Sequence, residues 1–298
     1  MATTETISPR LEGLDTWPDE AILAAFSDGQ EKAIAALRAA HPSIARAARA
    51  IADRSGERGR LIYVGAGSSG LIAALDGAEL GGTFGWPDER MAFVLANGTT
   101  LAPGLAGGPE DDAAQGRAEM QALRPARDDT VIAVAASGTT PFTLAATEAA
   151  RAAGALTVGI ANNRGAPLLL SVDQPILLDS GAEMIVGSTR MNAGTAQKAA
   201  LNMLSSLAMI HLGHIHDGMM VSLRADNAKL RRRALTTIVH IARCSEADAE
   251  RALTLAGGRI KPAVLIACGA APADAESMLA RARGKLRAAL ALVEEQVR

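Results

Sequence analysis

Aromatic residues are almost missing from this 298-residue chain: Phe, Trp and Tyr together make up 2% of it. With 49% of the residues hydrophobic, the core must be aliphatic and alanine-rich, which favours closely packed helices and a Val/Ile/Leu sheet. Cysteine is equally scarce. Cys244 and Cys268 are too few for a disulfide framework, and neither sits in a metal-ligand spacing. No run approaches about 18 apolar residues, so no transmembrane helix is expected. The first residues, MATTETISPRLEG, hold no apolar signal region, and a soluble cytoplasmic protein is the expectation. An excess of one charge is also missing: the net charge is −2, with both signs interspersed. A nucleic-acid or membrane-surface role gains no support from that balance.

What is present centres on Leu61–Gly85, LIYVGAGSSGLIAALDGAELGGTFG. The apolar run Leu61-Ile62-Tyr63-Val64 reads as a strand. It breaks at Gly65-Ala66-Gly67-Ser68-Ser69-Gly70, and an Ala/Leu-rich helix follows, near 69–79. A strand feeding a glycine turn and a helix presents backbone N–H groups to an anion. Gly65, Gly67 and Gly70 match a GxGxxG spacing, but two features point away from a dinucleotide. Ser68 and Ser69 can donate to phosphate or sugar oxygens. The acids about 20 residues on, where a ribose-binding residue is sought, are Asp88 and Glu89, in a Pro-flanked loop. The stretch reads as a sugar-phosphate site.

In chain order, residues 1–16 are polar and expected to be extended or poorly ordered. Trp17-Pro18-Asp19-Glu20 reads as a helix start, followed by helices over about 18–27 and 29–53, with a kink or break at Pro42. Strands are expected at 61–64, 91–96, 130–136, 156–160 and 174–178. Helices over about 112–123, 141–153 and 191–213 alternate with them, giving a parallel sheet covered on both faces. Beyond 223, helices over about 226–243, 246–256, 259–268 and 273–296 suggest a small bundle. The organisation is an N-terminal helical segment (1–56), an α/β sugar-phosphate domain (57–222) and a C-terminal helical domain (223–298).

Hydroxyl-rich loops at 67–69, 137–140 and 188–189 follow strands or lead into helices. Ser and Thr there cap helices, and three such loops at one sheet edge would also focus helix N-termini on an anion. Arg190, near a helix start, is unfavourable with the dipole and suits a ligand anion or an acid. Lys198 reads as a surface residue or a partner of Glu183. His211, His214 and His216 have a loose metal-like spacing, but the reading is a helix end without metal. Glu79 and Glu110 are inconspicuous alone, though two carboxylates in different environments suit acid–base chemistry on a sugar.

At these residues the chain resembles the N-acetylmuramic acid 6-phosphate etherases, SIS (sugar isomerase) proteins related to the glucokinase regulatory protein. The similar segments are GRLIYVGAGSSG (59–70), LDGAELGGTFG (75–85), AASGTTP (135–141) and, most specifically, EMIVGSTRMNAGTAQKAALNML (183–204). DNAKLRRRAL (226–235) and 244–266 are similar to that family's C-terminal helical domain. The resemblance implies a SIS-type parallel sheet, a small UBA-like C-terminal bundle and a homodimer. It makes Glu79 and Glu110 a pair: Glu110 as the base at C2, Glu79 as the acid at the departing lactyl oxygen. Ser68, Ser69, Ser137, Thr140, Ser188, Thr189 and Arg190 become candidate substrate contacts. The implied reaction cleaves the 3-O-lactyl ether of a phosphorylated amino sugar by elimination and rehydration, without metal or organic cofactor. Sugar-phosphate sensing and aldose–ketose isomerisation are the alternatives on the same scaffold. The chain departs from its relatives at Leu71, Thr139 and Asn192, where they carry cations, and at Gly81-Gly82, where they carry Pro-Pro.

Overall fold

The computed structural model describes residues 3–56, 58–99, 107–223 and 227–297. Met1, Ala2, Glu57 and Asp226, which belong to segments assigned above, lie outside the described residues. Contacts divide the chain into two compact units, Met1–Ala78 with Glu89–Leu207, and Glu79–Asp88 with Ala208–Arg298.

In the first unit the N-terminal stretch differs from expectation. It forms short 3₁₀ turns at Thr3–Glu5, Pro9–Leu11 and Leu14–Thr16. Thr3 N donates to Asn163 Oδ1 at 2.6 Å, and Thr4 is buried. The polar composition suggests an extended or poorly ordered stretch because it gives no hint that a distant Asn satisfies these amides.

Helix α1 runs unbroken over Asp19–Ser55, 37 residues with Pro42 inside. It starts behind Pro18, with Asp19 and Glu20 in its first turn, where acids favour the dipole. The expected break at Pro42 does not occur. Ala33, Ala36, Leu37, Ala40, Ile44, Ala47, Ala48 and Ile51 form one continuous buried face, and Pro42 lies on the exposed side. Burial along both halves outweighs the one hydrogen bond, to the Arg38 carbonyl, that proline cannot make.

The α/β portion follows: β1 (Leu61–Gly65), α2 (Gly67–Phe84), β2 (Met91–Leu95), α3 (Ala113–Ala122), β3 (Thr130–Val134), α4 (Pro141–Ala152), β4 (Leu156–Ala161), α5 (Pro167–Ser171), β5 (Gln174–Leu177) and α6 (Asn192–His211). The strands form one five-stranded sheet in the order β2-β1-β3-β4-β5, every pair parallel. β1, β3 and β4 are buried at every residue, as a sheet covered on both faces requires. β5 is an edge strand and tolerates Pro175 there. On one face Ile62, Val64, Val131 and Ala133 pack with Met120 of α3 and Phe142 and Ala146 of α4. On the other, Tyr63 reaches Asp76 of α2, and α1 lies against β3–β5. The short α5 escaped sequence reading because five residues show no helical period.

The second unit holds a hairpin, β6 (Ile215–His216) with β7 (Met219–Met220), and helices α7 (Ala228–Ala242), α8 (Glu246–Leu255), α9 (Ile260–Ala267), α10 (Pro272–Arg281) and α11 (Leu286–Val297). The hairpin turns at Asp217-Gly218, both left-handed (φ 47° and 76°), the pairing a two-residue turn favours. Among the described residues no group of three His, Cys, Asp or Glu side chains that could hold a metal ion is found. The helix expected over 273–296 is two. Arg283 and Gly284 are left-handed (φ 52° and 72°), and Gly284 N bonds back to Leu279 O at 2.8 Å with Arg283 N to Ala280 O at 3.0 Å. That pattern closes a helix. Ile238, Leu253, Val264, Leu265, Met278 and Val293 form this unit's core. Among the described residues no single helix is long and apolar enough to cross a membrane.

Pro42→Ala restores the missing backbone donor on an exposed face, so it should stabilise the protein by up to about 3 kcal/mol. Urea denaturation checks this; an unchanged midpoint would mean that α1 already absorbs the ring without cost.

Candidate active site

The sheet order decides where a ligand sits. From β1 the chain winds outward to β2, then returns past β1 to β3. The winding direction therefore reverses between β1 and β3, and ligands bind beyond the strand ends at such a reversal. Gly65 and Val134 end these two strands in register. The turn 65–70 and the loop 137–140 thus emerge side by side.

The turn is held by a backbone contact. A Cβ on Gly65 would lie 2.8 Å from Gly70 Cα, so only glycines let helix α2 start this close to β1. The helix begins at Gly67, earlier than its sequence pattern indicates, and Ser68 and Ser69 belong to its first turn. Gly70 N makes the first intrahelical bond, to Ala66 O at 2.9 Å. The amides of Gly67, Ser68 and Ser69 precede it and have no intrahelical partner, the arrangement that receives an anion. Ser69 is buried and Ser68 half-buried.

In the neighbouring loop, Ser137 Oγ accepts from Thr139 N at 3.2 Å and lies 3.1 Å from Thr139 Oγ1. Thr140 is the N-cap of α4, but its side chain makes no capping bond. Before α6, Thr189 O accepts from Gly194 N at 2.7 Å. A Cβ on Gly194 would lie 3.0 Å from Thr189 O and 3.3 Å from Ile72 Cδ1 of α2, so the first turn of α6 lies close to the second turn of α2. Ser188 is half-buried and Arg190 exposed.

Glu110 lies on a 3₁₀ turn, Gly108–Asp111. A Cβ on Gly67 would be 2.6 Å from its Oε1, so the carboxylate hangs directly over the anion-binding turn. Gly67 is left-handed (φ 53°) and leaves that space open. Burial, and then the neighbouring Asp111, push the Glu110 carboxyl above its ordinary value, which makes it a stronger base. Glu79 is exposed and sits on the same helix as Gly67, about 18 Å further along the axis at 1.5 Å per residue. Helix geometry therefore keeps it away from the turn of its own chain. Beside the turn, the cleft lined by Gly65, Gly67, Leu71, Leu95, Asn97 and Gly98 has only about 10 Å³ of room. A cleft of that size cannot enclose a ligand as large as a hexose phosphate.

Two carboxylates outside the candidate site residues anchor the elements around this edge. Asp76 is buried on α2 and accepts from Tyr63 Oη (2.8 Å), Asn202 Nδ2 (2.7 Å) and Ser205 Oγ (3.2 Å). Its carboxyl is raised by burial, against the lowering effect of these bonds and of Lys198. Lys198 thus acts on Asp76, where sequence reading offered Glu183. Glu183 is fully buried and caps α6, accepting from Asn192 N (2.8 Å) and Ala193 N (2.9 Å). Burial raises its carboxyl too. Sequence spacing gave no signal for this: Glu183 stands nine residues ahead of α6 and reaches its first amides only because the intervening chain folds back. Asn192 is also buried, its Nδ2 donating to Ala182 O at 3.1 Å and its Oδ1 facing Gly29 of α1. Of the three positions where the sequence departs from the pattern expected of the family, Leu71 and Thr139 are exposed and Asn192 is turned into the interior.

Comparison with known proteins identifies what the chain is similar to. Residues 43–151 match the family model described as the glucokinase regulatory protein N-terminal SIS domain. The chain is 46% identical over 288 residues to the N-acetylmuramic acid 6-phosphate etherase of Deinococcus radiodurans, covering 96% of this chain and 94% of that one. It is 40% identical over 291 residues to the enzyme of the same name from Streptomyces coelicolor, covering 97% and 93%. Among solved structures, a putative phosphosugar isomerase involved in capsule formation from Bacteroides fragilis aligns with a TM-score of 0.48 at 17% identity, covering 66% of this chain and 98% of that one.

Asp111→Asn removes the like charge beside Glu110, so the Glu110 pKa should fall; a carboxyl-carbon NMR titration that shows no fall would remove Asp111 as a cause of the raised value. Asp76→Ala leaves the Tyr63 hydroxyl buried without its acceptor and should destabilise the fold by about 3 kcal/mol. A urea midpoint equal to wild type would show that the network is dispensable.

Proposed function

The chain belongs to the N-acetylmuramic acid 6-phosphate etherase family, and from that membership we propose that the edge between β1 and β3 is where its reaction takes place. The protein is a lyase of carbohydrate metabolism that cleaves the 3-O-lactyl ether of N-acetylmuramic acid 6-phosphate, releasing N-acetylglucosamine 6-phosphate and D-lactate. The observation that carries the site is Glu110, a carboxylate of raised pKa held over Gly67 at the N-terminus of α2.

In the open-chain sugar the C1 aldehyde makes the C2 proton acidic. Glu110 takes that proton, and the electron pair moves through C2–C3 as the C3–O bond breaks. Glu79 supplies a proton to the leaving lactyl oxygen. Water then adds at C3 of the unsaturated aldehyde while C2 regains a proton, so a lactyl group is exchanged for hydroxyl with no net oxidation. The C1 carbonyl is the electron sink throughout, and no step calls on a metal or an organic cofactor. The free amides of Gly67, Ser68 and Ser69, with the hydroxyls of Ser68, Ser69, Ser137, Thr140, Ser188 and Thr189, hold the sugar phosphate, and Arg190 adds charge. Leu71 and Thr139 leave this chain more dependent on backbone dipoles than its relatives. Each charge-assisted bond forgone is worth up to about 2 kcal/mol.

The two carboxylates act on adjacent carbons, yet Glu79 sits about 18 Å along α2 from Gly67. One hexose cannot bridge that distance, which supports a homodimer in which the Glu79 of a second copy joins Glu110. We take residues 57–222 as the sugar-phosphate portion and 223–298 as its helical appendage. A charged sugar phosphate does not cross membranes unaided, which supports a cytoplasmic role in cell-wall recycling.

Purified protein with N-acetylmuramic acid 6-phosphate should release lactate, and Glu79→Gln or Glu110→Gln should each lower kcat by about 10²–10⁴-fold. Binding without lactate would favour sensing instead. Because Glu110 must be ionised, kcat/KM should fall as pH drops through its raised pKa. Co-refolding the two inactive variants should recover about a quarter of wild-type activity if each site draws one glutamate from each copy of a two-fold dimer. No recovery would place both glutamates in one chain.

A further inference from the structure

We infer that the C-terminal unit holds an anion site of its own: a cavity of about 550 Å³ in which Lys261, Arg259 and Arg231 surround a glycine turn, suited to a phosphomonoester. The volume falls in the range of small-ligand sites. Gly257 and Gly258 are both left-handed (φ 61° and 80°) and deliver the chain into α9 at Ile260. The N-cap Arg259 makes no side-chain capping bond. Ala263 N makes the first intrahelical bond, to Arg259 O at 3.2 Å. The amides of Ile260 and Lys261 come before it, and Pro262 has none. By contrast, Asn227 caps α7 and Ser245 caps α8 through their side chains.

The charges around these amides favour an anion. Lys261 is half-buried, and its Nζ donates to the Gly284 carbonyl at 2.8 Å. Burial pulls its pKa down to about 8, the state of an ammonium set against a neutral carbonyl in place of a counter-ion. Arg259 pairs with Glu276 at 2.8 Å, and Arg231 with Glu250. The cavity lining thus carries three cations and, among the described residues, one carboxylate, Glu276. Val221, Leu223 and Leu279 give an apolar wall for a carbon skeleton. A phosphate dianion here gains two backbone donors and the Lys261 ammonium. No residue of this lining belongs to the β1–β3 edge, so the site stands independently of the catalytic reading.

The test uses the full-length protein and follows the Lys261 side chain by NMR of its terminal nitrogen or adjacent carbon through a pH titration. The probes are inorganic phosphate, N-acetylglucosamine 6-phosphate and uncharged N-acetylglucosamine. Either phosphate should raise the Lys261 pKa from about 8 by about one unit. Movement with inorganic phosphate alone identifies free phosphate as the ligand, and movement with the sugar phosphate extends it to organic esters. Uncharged sugar should do nothing. Calorimetry with inorganic phosphate should show at least about tenfold weaker binding in Lys261→Met, with kcat and KM for lactate release unchanged. Lys261→Arg, which keeps the charge, should retain binding and covers the case in which the Met variant fails to fold. Silence of Lys261 toward both phosphates up to tens of millimolar, an equal response to uncharged sugar, or undiminished phosphate affinity in a folded Lys261→Met would overturn the proposal.

Discussion

The approach of Gly70 to Gly65 is the contact on which the candidate site's edge depends. With any side chain at either position, α2 would have to lift off the end of β1. Because it does not, three orphan amides lie at the sheet's winding reversal, in the neutral form of anion recognition that helix N-termini provide. The same closeness leaves Gly67 facing the Glu110 carboxylate. The positions of the Glu110 carboxylate and of the orphan amides are therefore both set by one turn.

An alanine-rich interior has few large side chains to fix how helices sit on a sheet. Here buried carboxylates take over part of that task. Asp76 ties α2 to β1 through Tyr63 and to α6 through Asn202 and Ser205. Glu183 fastens the start of α6 through two backbone amides. Each is costly to bury and worth burying only because its oxygens are satisfied. Both brace helices whose first turns, or the loops before them, carry the candidate substrate contacts.

Much of this was legible in sequence. The five strands were placed within one or two residues, since each is a short apolar run ending at glycine or polar residues. The sheet is parallel because strands alternate with helices. Long helices were found through their period, whereas the five-residue α5 and the two-residue strands of the hairpin were not. Pro42 was read as a break because proline forfeits one bond locally. The buried stripe on both sides of it is a sum over many residues that no single position reveals. Gly284 was passed over for the opposite reason: the apolar period continues through it, while the backbone does not.

The candidate site divides along the same line. Sequence by itself determined the class of fold and the strand–turn–helix with its anion-binding look; the pairing of Glu79 with Glu110 is what the resemblance implies. Those properties are local, carried by composition, period and motif. Only the tertiary structure decided that Glu110 hangs over Gly67 and that Asn192 faces α1. Distance between residues far apart in the chain depends on the sheet order and on where each helix begins, and neither is written in any one segment.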